Sequence, residues 1–365
     1  MRIVIAGGGT GGHIYPALAI AEKLLEKKPS TRIVFVGTAN GLEVSILSKF
    51  NYEYHSIEVS GFKRQFSLDN LYAVRRAAGA LKDSLNIMKR VRPAVVIGTG
   101  GYVCGPVVLG AWLTGIKTCI QEQNAVPGVT NRLLARIANR IFLGSPAAGR
   151  YFSQKNRVIV TGNPIRSDIL SADRREARMQ LGLDPDKSTI LVSGGSQGAM
   201  SINRAMLPVH EKLCRCKSVQ VLHITGERWH DEVCGGLSCT ALEADNIKIV
   251  PYLENMSLAL AAADLAVFRA GAVGMSELAA RGIPSILVPY PYATDNHQEH
   301  NARIFERENA AVLVRDGELT GENLSSLICI LLKDHERLSS MADAAKRLGR
   351  PDAAEEIADG ILEMF

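Results

Sequence analysis

Residues 3–27 read IVIAGGGTGGHIYPALAIAEKLLEK, and this stretch decides the fold. Ile3-Val4-Ile5-Ala6 is a short apolar, mostly β-branched run, the pattern of a strand buried on both faces. After His13, Leu18, Ala21, Leu24 and Leu25 recur at helical spacing. Between the two, five glycines fall within residues 7–12. Glycine lets the chain turn tightly and lets backbone N–H groups approach a ligand closely. The helix N-terminus adds unpaired donors and partial positive charge, which suit a phosphate or an oxyanion. A tight turn with no ligand is the alternative.

Gly7, Gly9 and Gly12 satisfy G-x-G-x-x-G, a weak dinucleotide signal by itself. A nicotinamide nucleotide also needs an acid, or for its phosphorylated form an arginine, at the end of the second strand. That strand reads TRIVFVG at 31–37, and no acid follows before Glu43. The nicotinamide reading weakens accordingly.

The opening pattern returns at TILVSGGSQGAMSINRAM, residues 189–206, with Gly194, Gly195 and Gly198 in the turn. Strands and helices alternate after both copies: AVVIGTGGYVCGPVVLGAWL at 94–113, VQVLHITG at 219–226, LAVFRAGAVGMSELAARG at 265–282 and PSILVPYP at 284–291. The alternation predicts an α/β protein of two doubly wound, Rossmann-like domains. The division is expected near VTGNPIRSDI, 160–169, where Gly162-Asn163-Pro164 breaks the chain. Such domains would face each other across a cleft lined by strand C-terminal ends.

The chain's 365 residues and 47% hydrophobic content are ample for two cores. Strand-forming residues begin at residue 2, so no signal peptide is expected. Pro93–Ile116 is uncharged, but its six glycines and two prolines fit a strand, turn and buried helix better than a membrane span. Seven scattered cysteines without a C-x-x-C pair point to a reducing, cytoplasmic compartment. Residues 1–166 hold 22 basic against 8 acidic side chains, while residues 167–365 hold 20 against 29. Only the first half therefore suits an anionic partner, a membrane surface or a nucleic acid.

Four further stretches carry candidate chemistry. Gly98-Thr99-Gly100-Gly101-Tyr102-Val103-Cys104-Gly105-Pro106 is a second glycine turn in the first half. Glu122-Gln123-Asn124 follows the strand at 116–120, which makes Glu122 and Asn124 site candidates, with a turn role as the alternative. In the second half, Arg269–Glu277 puts Ser276 and Glu277 in a helix after another glycine turn. Asp295-Asn296-His297-Gln298-Glu299-His300-Asn301 offers amides and carboxylates to a polyhydroxyl ligand. His297, Glu299 and His300 also raise a metal reading, which lacks a fourth ligand, so no metal is expected.

Together, GGTGGHIYPALAIA, GTGGYVCGP, EQNAVPGVTNRLLA, GNPIR, GGSQGA and SELAARGIPSILVPYPYATDNHQEHNA resemble, in order and over essentially the whole chain, the motifs of the MurG family. These are UDP-N-acetylglucosamine:lipid I N-acetylglucosaminyltransferases of bacterial cell-wall synthesis, inverting GT-B enzymes of glycosyltransferase family 28. The resemblance implies an acceptor and membrane-binding domain at 1–162, joined by a C-terminal helix at about 351–365, and a donor-binding domain at 163–350. It implies transfer of GlcNAc from UDP-GlcNAc to the C4 hydroxyl of MurNAc in lipid I. The product would be β-1,4-linked lipid II, made without a cofactor or nucleotide-bound metal.

For the donor, the resemblance implies Arg166, Ser196, Leu253 at the uracil, Ala272, Val273, Gly274, Met275, Ser276, Glu277 on the ribose hydroxyls, and Gln298 at the sugar. Thr10, Gly11, Gly12 and Asn124 would close on it from the first domain. Gly9, Gly100, Gly101 and Tyr102 would hold the lipid I diphosphate. His13 would stand near the attacking sugar as general base, with Glu122 the other candidate. The chain departs from the family pattern at Ala270 and Gly274, where Ser and Thr are common, and at Gln121, commonly His.

The implied location is the cytoplasmic face of the inner membrane, held peripherally, with lipid I, an anionic membrane surface and cell-wall synthesis proteins as partners. Membrane contact is expected from Phe62, Lys63, Arg64, Phe66, Arg75 and Arg76, with Trp112 nearby. The row Leu71, Val74, Ala78, Leu81, Leu85, Met88 is read as core. A glycolipid synthase using diacylglycerol and a UDP-sugar 2-epimerase are the rival enzymes. No nucleic-acid partner is expected, because neither an aromatic single-strand platform nor a helix-turn-helix is visible.

Overall fold

The computed structural model of the chain describes residues 1–39, 41–59 and 68–365; the side chains of Leu42 and residues 68–75 lie outside that description. The chain forms two compact units, one of Met1–Arg166 with Asp352–Phe365, the other of Ser167–Pro351.

In the first unit the strands are β1 (Arg2–Ala6), β2 (Arg32–Gly37), β3 (Glu53–Ser56), β4 (Val95–Gly98), β5 (Lys117–Glu122), β6 (Arg140–Leu143) and β7 (Val158–Val160). They form one parallel sheet in the order β3-β2-β1-β4-β5-β6-β7. Helices cover both faces, so β1 and β4 are fully buried through Ile3–Ala6 and Val95–Ile97. Truncating one such residue, Ile5→Ala for example, costs about 2–5 kcal/mol.

The second unit contains β8 (Ser188–Ser193), β9 (Val219–Ile224), β10 (Ile247–Val250), β11 (Leu265–Arg269), β12 (Ser285–Val288) and β13 (Ala311–Leu313). Its parallel order is β10-β9-β8-β11-β12-β13. Both sheets reverse direction of growth once, between β1 and β4 and between β8 and β11. Ligands bind at such switch points, outside the strand C-terminal ends. Ala6 pairs with Gly98, and Ser193 with Phe268, so the turns after these strands open side by side within each unit.

The division falls after Arg166 rather than after residue 162. Asn163 is held in the first unit: Gln121 Nε2 donates to its Oδ1 at 2.9 Å, and its own Nδ2 donates to the Gln123 carbonyl at 3.1 Å. The last helix, Ala353–Leu362, returns to this unit. Its Ile357, Ala358 and Ile361 join Ile3, Ile5 and Leu24 in one apolar cluster. Lys27 adds ion pairs to Glu355 at 2.8 Å and Asp359 at 2.9 Å.

The helix Leu68–Val91 buries a face other than the one the sequence suggests. Ala80, Ser84, Ile87, Met88 and Val91 are buried, whereas Ala78 is exposed and Leu81 and Leu85 are only part-buried. The cause is close packing on the helix Cys104–Leu113: a β-carbon on Gly110 would lie 3.2 Å from Ser84 Cβ. Small residues at 80, 84 and 110 let the helices approach, and the face turns to suit. Leu71 and Val74 carry side chains outside the described residues.

Candidate functional site

The first turn runs from Gly7 to Thr10 and opens the helix Gly11–Lys27. Thr10 is the extended N-cap residue, but its side chain makes no capping bond, and the first helical turn carries no acid. The helix end therefore keeps its positive character, with the N–H groups of Gly11 and Gly12 in its first turn. Tyr15 packs beside Gly11, and the Arg166 guanidinium lies 5.1 Å from the centre of its ring. Arg166, expected with the donor domain, thus closes the first unit and brings a cation to this turn.

Gly9, expected at the lipid I diphosphate, is bonded within the unit. Its N–H donates to Glu43 Oε2 at 3.0 Å. Thr38 donates to Glu43 Oε1 through N–H at 2.8 Å and hydroxyl at 2.7 Å. Burial pushes the Glu43 carboxyl up, but the hydrogen bonds from Gly9 and Thr38 outweigh this and hold it below the usual carboxylate range.

The second turn, Thr99–Val103, lies against the first. Thr99 N–H donates to the Ala6 carbonyl at 2.8 Å. A β-carbon on Gly100 would stand 2.6 Å from His13 Cε1, so the imidazole rests directly on this glycine. Gly100 and Gly101 both have positive φ, 113° and 85°. Cys104 Sγ accepts from Gly100 N–H at 3.0 Å and braces the turn from below; burial pushes its thiol up to about 12, so it stays protonated. Tyr102 is 63% exposed beside it. Gln123 ties in β5 by donating to the Thr99 carbonyl at 2.6 Å.

Glu122 is 2% exposed, and both its oxygens are engaged. Oε1 accepts from Asn124 N–H at 2.9 Å and Asn124 Nδ2 at 3.1 Å. Oε2 accepts from Gly128 N–H at 3.1 Å and Asn131 Nδ2 at 2.9 Å. A carboxylate so enclosed organises the loop 124–128.

In the second unit, Gly194–Ala199 opens the helix Met200–Leu213, again with no side-chain cap and no acid in the first turn. Ser196 is exposed at the tip. A β-carbon on Gly198 would stand 2.9 Å from the Thr225 carbonyl carbon, so β9 backs the turn. The adjacent helix Ala272–Arg281 also starts uncapped and without an acid. Ala272, Val273 and Gly274 are part-exposed, Met275 is buried and offers backbone only, and Ser276 donates to the Ala272 carbonyl at 2.9 Å. Glu277 is part-buried one residue on. The methyl of Ala270 is fully buried, and its carbonyl accepts from Asn301 Nδ2 at 3.3 Å. Leu253 is part-buried after β10.

Gln298 Oε1 accepts from Tyr290 N–H at 2.9 Å, which fixes the side chain beside β12. Glu299 accepts from Asn296 at 3.0 Å and from Arg303 at 2.6 Å, hydrogen bonds that hold its carboxyl down to about 2. It is therefore an ion-pair partner, and among the described residues no three His, Cys, Asp or Glu side chains converge as metal ligands.

Three contributors escape a linear reading: Glu43, Tyr15 and Arg269. Arg269 donates to the carbonyls of Val288 and Pro289, each at 3.2 Å, and to Ser201 Oγ at 2.8 Å. It thereby locks both helix N-termini of the second unit to β12. Its position one residue before the 270–272 turn was the only available signal.

Phe62, Lys63, Arg64 and Phe66 lie outside the described residues, as does the Arg75 side chain; Arg76 is exposed. Trp112 and Leu113 are about half exposed at the end of a helix that packs on Leu68–Val91, and Val129 and Leu133 are exposed on the neighbouring helix Val129–Leu134. Among the described residues no helix is long and apolar enough to cross a membrane.

Two doubly wound parallel sheets, each with glycine turns and uncapped helix N-termini at its switch point, define the two-Rossmann-domain architecture of GT-B proteins. Residues 3–143 match the glycosyltransferase family 28 N-terminal domain and residues 189–357 its C-terminal domain, and the chain belongs to this family. It is 48% identical, over 100% of its length and 98% of the relative's, to the UDP-N-acetylglucosamine–N-acetylmuramyl-(pentapeptide) pyrophosphoryl-undecaprenol N-acetylglucosamine transferase of Desulforudis audaxviator. The transferase of the same name from Moorella thermoacetica is 45% identical over 100% of this chain and 99% of its own. Among solved structures, Acinetobacter baumannii MurG superposes with a TM-score of 0.75 at 28% identity, covering 99% of both chains. A putative UDP-N-acetylglucosamine 2-epimerase from Listeria monocytogenes reaches 0.74 at 15% identity, over 100% of this chain and 96% of its own, a likeness of fold alone.

Proposed function

We propose that this glycosyltransferase moves GlcNAc from UDP-GlcNAc to the C4 hydroxyl of MurNAc in lipid I, giving lipid II with a β-1,4 linkage. One observation carries the reading: full-length identity of 48% to a transferase named for this donor and this lipid-linked acceptor. The second unit takes the donor. Ser196, with its own N–H and those at 273–274, receives its diphosphate, Glu277 the ribose hydroxyls, Leu253 the uracil and Gln298 the sugar. The first unit takes the acceptor, whose diphosphate meets the N–H groups at 11–12 and 101–102 and the Arg166 cation.

A sugar hydroxyl is a weak nucleophile near neutral pH, so the step needs a base. His13 takes the C4 hydroxyl proton as that oxygen bonds to C1 of GlcNAc. The bond from C1 to the UDP oxygen breaks on the opposite face, and the configuration inverts. Charge growing on UDP is stabilised by fixed N–H dipoles at two helix ends that carry no acid. The same dipoles support a step without a nucleotide-bound metal. Exposed Trp112 and Leu113, with the basic 62–76 segment, support peripheral attachment to the anionic cytoplasmic face of the membrane. Ser196→Ala and Glu277→Gln test the donor assignment. Each should raise KM for UDP-GlcNAc about tenfold with the acceptor KM unchanged, and unchanged donor KM in both would refute it.

A further inference from the structure

Glu43 is 1% exposed, and its carboxylate occupies a niche made by three glycines. A β-carbon on Gly8 would lie 2.7 Å from Glu43 Cδ, one on Gly37 2.8 Å from Cγ, and one on Gly41 closer still to the carboxylate. The niche lies just past the end of β2, where a dinucleotide-binding fold keeps the acid that receives a ribose. Here the acid folds inward. Its bonds to Gly9 N–H at 3.0 Å and to Thr38 N–H at 2.8 Å join the first glycine turn to the end of β2. Tyr54 completes the support by donating to the Thr38 carbonyl at 2.6 Å.

We infer that Glu43 is a positioning residue for the acceptor: it holds Gly9 at its φ of 86° and so sets the turn from which Gly11, Gly12 and His13 project. The inference rests on the assignment of the acceptor to the first unit. Glu43 touches no substrate; it acts through Gly9.

The geometry selects Glu43→Gln as the test. The amide oxygen can still accept from Thr38, but the amide nitrogen then faces Gly9 N–H, donor against donor. Only the link to the turn is lost. With a short-chain lipid I analogue and UDP-GlcNAc, the acceptor KM should rise about tenfold or more while the donor KM stays within twofold. Hydrogen exchange at the Gly9 amide, read by NMR on the same protein, should accelerate by a similar factor. Equal exchange in variant and wild type would overturn the inference even if neither protein turns over the analogue. Faster exchange with both KM values unchanged would overturn it too. If the wild type rejects the analogue, the acceptor assignment itself fails, and the exchange result still judges the link. Thr38→Val, which keeps the Gly9 bond, should leave the acceptor KM near that of the wild type.

Discussion

A β-carbon on Gly101 would stand 3.3 Å from the carbonyl carbon of Gly8 and closer still to its oxygen. The two glycine turns of the first unit are thus in backbone contact, with no room for a side chain between them. Gly101 also has φ of 85°, a conformation L-residues rarely adopt. Gly101→Ala should therefore cost about 2 kcal/mol or more and separate the turns. Denaturant unfolding would show the loss, and acceptor kcat/KM should fall more than donor binding does.

His13 rests on Gly100 and is the base in this account. His13→Ala should lower kcat by about 10²–10⁴-fold, with the unfolding midpoint and both KM values little changed. A kcat within threefold of wild type would remove His13 from that role.

Glu122 should behave differently. Its four hydrogen bonds hold the loop that follows β5. Glu122→Ala removes the acceptor for the N–H groups of Asn124 and Gly128, for Asn124 Nδ2 and for one hydrogen of buried Asn131 Nδ2, at a cost of about 2–4 kcal/mol. Thermal unfolding should register this as a clear drop, whereas a catalytic base would show a rate loss at unchanged stability.

The contrast between these two residues shows what was legible. Local patterns announced both sheets: apolar strand, glycine turn and helix appear at 3–27 and again at 189–206, and the structure builds two switch points there. Which partner a polar side chain would choose was not legible. Glu122 ends β5 and Glu43 follows β2, and only the fold shows each enclosed by N–H donors. The same holds for Arg166 on Tyr15, a contact across 151 positions of chain. Nor could helical periodicity orient Leu68–Val91, because the close approach of Ser84 to Gly110 sets its buried face.

A buried histidine pair in the second unit makes stability depend on pH. His210 Nε2 and His223 Nδ1 are 3.0 Å apart, and His223 Nε2 lies 3.1 Å from Asn203 Oδ1. Asn203 Nδ2 donates to the Thr225 carbonyl at 2.9 Å, so Oδ1 is the acceptor and His223 the donor. His210 then donates to His223, and both rings are neutral. Burial lowers His210 to about 4 and His223 well below 6.5. The unfolded chain therefore binds more protons below pH 6.5. Stability is fully present above that value and is lost as pH falls toward 4, by roughly 3 kcal/mol for His210 alone. Urea unfolding between pH 7 and 4.5 should show this slope, and a flat profile would contradict the pairing.

Trp112 and Leu113 offer exposed apolar surface on a helix packed against a basic neighbour. Replacing both with Glu should reduce binding to vesicles containing anionic lipid about tenfold or more, with turnover of a soluble acceptor analogue unchanged. Equal vesicle binding would locate the contact elsewhere.

The most direct measurement of the central claim follows radiolabelled GlcNAc from UDP-GlcNAc, with EDTA present, into a short-chain lipid I analogue. The account predicts label in a lipid-linked disaccharide with a β-1,4 bond, at a rate that EDTA leaves unchanged. Label recovered instead as free sugar or as an epimerised nucleotide sugar, with none in lipid, would contradict it.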